Sequence, residues 1–204
     1  MIKNNIHRFF KGLLLVTMVA ALGACATKVE RISPEQVRDL SGEWNDTDSQ
    51  LVSKEMISDA LSQAWLGNFQ RAHSKQPAVI VGEIRNLSHE HINMNTFVGD
   101  MERSLINSGK VEFVASKLDR QEIREERKDQ DINAREDTRK AMGMELGADF
   151  MLKGQINTIL DAEGKEQIRY YQVDLTLISL ADNRIVWVGQ KKIKKFVTKA
   201  SLRF

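Results

Sequence analysis

The 204 residues contain one cysteine, and its neighbours give it a chemistry. Leu22-Gly23-Ala24-Cys25 sets a branched apolar residue and two small ones directly before the thiol. Small side chains let an extended backbone enter a peptidase site, and the thiol is a sulfur nucleophile that a diacylglycerol donor can alkylate. Upstream, Lys3, Arg8 and Lys11 precede an apolar run from Leu13 to Leu22 that is broken only by Thr17. A basic start, a short apolar stretch and small residues before a cleavage point are the layout of a signal peptide, here residues 1–24. A helix that spans a membrane needs roughly 20 apolar residues, so the run is too short for a permanent span. The tetrapeptide therefore reads as a lipobox, with cleavage before Cys25 and both S-diacylglycerol and N-acyl (palmitate) attachment to that residue. Each buried methylene contributes about 0.8 kcal/mol, which makes a triacylated anchor effectively permanent. Ala26 in place of an aspartate favours onward sorting to the outer membrane in enteric-type bacteria, with the domain facing the periplasm.

Other clusters have weaker chemical readings. His89-Glu90-His91 is the one concentration of metal-type ligands, and in an extended segment both imidazoles would point the same way. No cysteine or further histidine lies near enough in sequence to complete a ligand set, and a polar loop explains the same residues. The charged run Arg120 to Asp131 has the mixed signs of a solvated helix with side-chain pairs, although a docking surface would look similar. Lys191 to Lys195, with Lys199 and Arg203 beyond, could touch anionic lipid or glycan. Lysines on an exposed edge strand also block aggregation, and this is the favoured reading. Met94, Met101, Met142 and Met144 read as core fillers. The sequence shows no Gly-rich phosphate loop, no Gly-x-Ser-x-Gly elbow and no carboxylate pair marked by spacing, so the expectation is a non-enzyme with no cofactor, no metal and no small-molecule substrate.

Charge narrows the partners. Removing residues 1–24 takes three positive charges and no negative ones from a net charge of +2, which leaves −1. The basicity belongs to the leader, and nothing in the mature chain argues for nucleic acid. With Cys25 lipidated no thiol remains for a disulfide, so stability must come from a packed core.

The elements that would carry these residues follow from periodicity. Residues 25–47 read as a lipidated N-terminus and short tether, about 70 Å at full extension, and 48–204 as one globular domain. Asp46 or Asp48 is expected to cap a helix running to about Gln70, with Val52, Met56, Ala60 and Ala64 on one stripe. Ala78 to Gly82 suits a buried strand, Ser88 to Asn93 a loop, and Phe97, Met101 and Leu105 a helix capped by Asn93 or Asn95 and stopped at Gly109. Val111 to Ala115 reads as a strand. Lys117 to Asp131 reads as a helix held by one narrow edge at Leu118 and Ile123, and Ala134 to Leu146 as another. From Phe150 the period becomes two. Phe150, Leu152, Gly154, Ile156 and Leu160 share one face of a strand, and Gly164 turns the chain. Tyr171, Val173, Leu175 and Leu177 alternate in the next strand, and Asp182-Asn183 leads into Arg184 to Val188 with Trp187 buried. The predicted fold is α/β of the α+β type, a mixed sheet of about five strands with a C-terminal antiparallel meander and helices packed on one face.

Three stretches carry a family resemblance: Leu40 to Ser49 (LSGEWNDTDS), Asn107 to Val114 (NSGKVEFV) and Leu146 to Ile156 (LGADFMLKGQI). Together they resemble the LpoB lipoproteins, over residues 40 to 195. In bare physical terms Gly109 and Gly147 are helix stops and Ala148-Asp149 a tight entry into a strand. The resemblance implies a non-enzymatic outer-membrane lipoprotein that binds and activates a class A penicillin-binding protein, a bifunctional peptidoglycan synthase. Family members that span the periplasm have long proline-rich tethers, and this one is short. The same helix-stop-strand pattern also resembles the N-terminal domain of TolB and the periplasmic part of CsgG, which implies the alternative of an envelope assembly or secretion component. Sequence alone names no partner-binding residue.

Overall fold

A computed structural model describes residues 28–199. The chain divides into two compact units, Met1–Gln36 and Val37–Phe204. In the first, the described residues 28–36 are exposed and hold one turn, in which the Gln36 N–H donates to the Ser33 carbonyl at 3.0 Å. The leader, the lipobox and Cys25 lie outside the described residues.

The second unit begins its regular structure with α1 (Asp46–Ala60), whose cap is one residue earlier than expected. Asn45 takes the cap and Asp48 returns the bond to the Asn45 N–H, a reciprocal box that satisfies two otherwise free donors. The predicted single helix to Gln70 is in fact two, α1 and α2 (Ala64–His73). The Ala60 carbonyl accepts the Trp65 indole N–H at 2.6 Å and the Gln63 N–H at 3.4 Å in a tightened last turn, so it does not carry the helix on to Ala64 and the chain turns. β1 runs from Ala78 to Leu87, and α3 from Met94 to Asn107 with Asn93 as its cap. Gly109, at φ +62°, supplies the left-handed stop. After β2 (Glu112–Phe113) comes α4 (Lys117–Asn133). Then follow β3 (Phe150–Glu163), β4 (Glu166–Ser179) and β5 (Ile185–Thr198).

The sheet order is β2-β1-β3-β4-β5. β1 is parallel to β2 and to β3, and β3-β4-β5 form the antiparallel meander. The fold class is therefore as the sequence indicated. α1 and α3 pack on each other and cover one face, where Val173, Leu175 and Leu177 of β4 share one core with Val52, Met56, Phe97 and Met101 and Tyr171 is fully buried. Gly154 is fixed by close approach: a Cβ there would lie 2.4 Å from the Asp174 carbonyl. The opposite face of β3, β4 and β5 carries no helix among the described residues.

Five expectations need correction. No helix spans 134–146: α4 ends at Ala134 in extended backbone, and Gly143 (φ +78°) breaks what remains into turns. Gly147 is consequently not a helix stop. Met101 is buried and Met94 packs against the core, but Met144 is 80% exposed and Met142 is exposed too, because the segment that carries them lies on no core. α4 has no buried residue at all: Leu118 and Ile123 are both exposed, so the expected apolar edge does not form and α4 is held by polar bonds. Arg124 grips Glu145 through two bonds of 2.8 and 2.7 Å, Arg127 adds a third at 3.2 Å, and the Arg124 pair holds the Glu145 carboxyl below its ordinary range. Finally, Leu160 has the inward parity but lies beyond the helices and is exposed.

This division predicts two very different costs for similar changes. Phe97→Ala, in the fully buried core, should lower the unfolding free energy by about 3–5 kcal/mol, whereas Ile132→Ala on α4 should stay within about 0.5 kcal/mol, both read from urea unfolding.

Candidate functional site

The three residues of His89-Glu90-His91 go to different fates. His89 shares a 2.9 Å contact with the Thr158 hydroxyl, His91 is exposed, and Glu90 turns inward. Among the described residues no group of three histidine, cysteine or acidic side chains is arranged to hold a metal. Cys25, Leu22, Gly23 and Ala24 lie outside the described residues.

Glu90 instead anchors a polar clasp on the lead-in to α1. Its Oε1 accepts the Tyr171 hydroxyl at 2.6 Å and the Arg169 guanidinium at 2.7 Å, while its Oε2 accepts the Trp44 backbone N–H at 3.0 Å. Arg169 also reaches Glu43 at 3.3 Å. Trp44 is held at three points: its ring meets Phe97 and Tyr171 edge-on at 5.8 and 5.6 Å, and its indole N–H donates to Ser49 at 2.8 Å. Beside this lies Lys195, only 11% exposed in its side chain. Its ammonium has three N–H groups and finds three acceptors, Asp48 at 2.6 Å, Asp39 at 2.8 Å and the Glu43 carbonyl at 3.0 Å.

The electrostatics suit a lock rather than a reaction. Burial, then the bond to Glu90, push the Tyr171 phenol far above its ordinary range, so it stays a neutral donor. Burial pulls the Lys195 ammonium down, but the bonds and charges of Asp39 and Asp48 outweigh it and the net shift is upward. Neither group titrates near neutral pH, so neither is suited to moving protons there.

Sequence reading singled out Glu90 only as a metal candidate and missed Arg169 and Lys195 as buried partners. The bonds join residues 79, 81 and 147 positions apart, which no local spacing reveals. One signal was available: Arg169 shares parity with Tyr171, Val173 and Leu175, and a charge on the covered face of a strand requires a partner.

A second feature is a groove of about 1080 Å³ between α2 and the β4–β5 turn, floored by Trp65, Phe150 and Trp187 and walled by Phe69, Leu180 and Ile185. It is the concave counterpart of the clasp at the other end of α1.

Two effects should mark the clasp. Tyr171→Phe leaves one Glu90 lone pair without its donor and should cost about 1–3 kcal/mol in urea unfolding at pH 7. Tyr171 and Lys195 both hold their protons more tightly folded than unfolded, so their contribution is whole below about pH 10 and is lost as pH rises through the folded values. Wild-type stability should fall above about pH 10, and less steeply in Tyr171→Phe, where one of the two titrations is gone.

A family model described as "Peptidoglycan-synthase activator LpoB" matches residues 48–193. The LpoB C-terminal domain from Escherichia coli is 13% identical, with 72% of this chain and 99% of that one covered, at a TM-score of 0.45. The NMR structure of E. coli LpoB is also 13% identical, covering 86% and 83% at 0.41. The C-terminal domain from Salmonella enterica is 13% identical, covering 64% and 93% at 0.37. No curated protein sequence matches the chain. The sequence match takes in most of α1, most of β5 and everything between, and on that match the chain belongs to the LpoB family of peptidoglycan-synthase activators.

Proposed function

We propose that this protein is an outer-membrane lipoprotein, anchored through Cys25 with its domain in the periplasm, that activates peptidoglycan synthesis by binding a class A penicillin-binding protein. The observation that carries the reading is the family match across 48–193, which covers the helices and strands of the domain rather than one motif. Activation requires no catalytic residue from this chain. A partner shifts a conformational equilibrium only by its differential affinity for the two states, so the domain would act by binding the synthase's active conformation more tightly.

The clasp tightens the geometry of this proposal. Asp39 is already fastened to Lys195, so the free stretch from Cys25 to Asp39 is about 14 residues, no more than roughly 50 Å at full extension. The synthase contact must therefore lie within that reach of the anchoring membrane plus the width of the domain itself.

In detergent the full chain should co-purify with a class A synthase and accelerate its polymerisation of lipid II; absence of both would sink the reading, and a ring oligomer bound to an export complex would replace it with a secretion role. Radioactive palmitate should mark the wild type and leave Cys25→Ser unlabelled, whereas label retained in that variant overturns the anchor.

A further inference from the structure

The sheet face not covered by helices has an order that neither the fold nor the clasp requires. Strand register sets its outward side chains in rows. Gln155, Asp174 and Gln190 stand opposite one another, then Asn157, Gln172 and Lys192, then Ile159, Tyr170 and Lys194, then Asp161, Ile168 and Phe196. On the β1 side Arg85 joins the first row through its bond to Gln155 at 3.2 Å. Two residues separate successive rows, about 6.8 Å, and strands lie about 4.8 Å apart, so the array measures about 20 by 10 Å.

The polar rows are fixed in advance. The Asp174 carboxylate accepts from Gln172 at 2.9 Å, from Gln190 at 2.8 Å and from Asn157 at 3.5 Å, and the Tyr170 hydroxyl donates to Gln172 at 3.2 Å. Amide groups held this way meet a hydroxyl-rich ligand without first losing rotamer freedom. The last two rows set Ile159, Tyr170, Ile168 and Phe196 together as an apolar patch, with Phe196 64% exposed and Ile159 exposed beside the half-buried Tyr170, between Lys194 on one edge and Asp161 on the other. Aromatic and aliphatic faces of this kind suit the C–H faces of sugar rings.

Charge then selects the kind of sugar. The lysines of β5 are divided between the two faces, and those on the covered face are paired, Lys191 with Glu55 and Lys195 with Asp39 and Asp48. Lys192 and Lys194 on the open face, and Lys153 one row away from the array on β3, form no ion pair among the described residues. Asp174 is taken up by its three amides. The array therefore offers unpaired ammonium groups beside preset amides and exposed rings, which is complementary to a ligand with hydroxyls, ring faces and carboxylates together.

We infer that this open face binds a carboxylate-bearing glycan strand, laid along β4 and β5 with its carboxylates on Lys192 and Lys194 and its sugar rings against Tyr170 and Phe196. The surface is flat and open, which suits an extended polymer rather than a small molecule. The inference stands apart from the synthase contact, because glycan capture is read with no synthase present.

The test is co-sedimentation of the full chain, in detergent, with purified peptidoglycan sacculi at varied salt, beside sacculi whose carboxylates have been amidated. The expected result is salt-sensitive capture, weakened at least tenfold by amidation, by Lys192→Gln with Lys194→Gln, and by Phe196→Ala, and unchanged by Lys128→Gln on α4. Thermal unfolding of each variant shows that the fold is kept, and the glutamine variants preserve side-chain bulk on a solvated face. Absence of capture, or capture indifferent to amidation and to the paired lysine changes, overturns the inference. So does the result in which these variants keep glycan capture and lose the synthase, which would make the face a protein-binding one.

Discussion

The domain's N-terminal boundary depends on one constraint: the charges buried where the chain enters α1 must find partners, and those partners come from the far end of the sequence. Glu90 and Lys195 each gather several bonds at a place largely shut off from water, where an unmatched charge would cost far more than a surface one. Matching them requires Arg169 and Tyr171 to stand on the covered face of β4 and Lys195 on that of β5, which fixes the register of the meander by one more device than apolar alternation. It also draws Asp39 to Trp44 against the sheet. A segment with the composition of a loop is thereby made part of the domain.

The two sheet faces show a division of labour. On the covered face every lysine of β5 is neutralised and apolar residues fill what remains. On the open face the same strand carries its lysines unpaired, over a lattice of amides around Asp174. Since a one-residue slip would exchange the two sets, the arrangement is tied to the same register that the clasp secures.

Much of the fold was legible because the chain obeys simple periods. Phe97, Met101 and Leu105 at four-residue spacing, and Tyr171 to Leu177 at two, placed α3 and β4 and their buried faces directly. What escaped has physical causes. The break between α1 and α2 rests on the Trp65 indole capturing a carbonyl five residues back, a side-chain event that a hydrophobic pattern cannot show. Ala134 to Leu146 has apolar residues at helical spacing, but Ala134 is extended and Gly143 takes a positive φ, so the segment runs in turns, which apolar spacing alone does not show. The clasp was legible only in one hint, the parity of Arg169, since its contacts cross most of the chain. The proposed anchor was legible in sequence alone, because a lipobox is a local pattern that ends at Cys25 and needs no tertiary contact.

The clasp also has a mechanical meaning. With the anchor proposed at Cys25, tension arriving along the chain would meet Asp39 first, and Asp39 is tied to Lys195 on β5 as well as to Asn45 at the helix cap. Load would then pass into the sheet through short bonds in parallel with the backbone, before it could unwind the first turn of α1. The buried lysine would serve as a strain relief, so that pulling on the leash moves the domain as a whole and leaves its surfaces in the shape that binds.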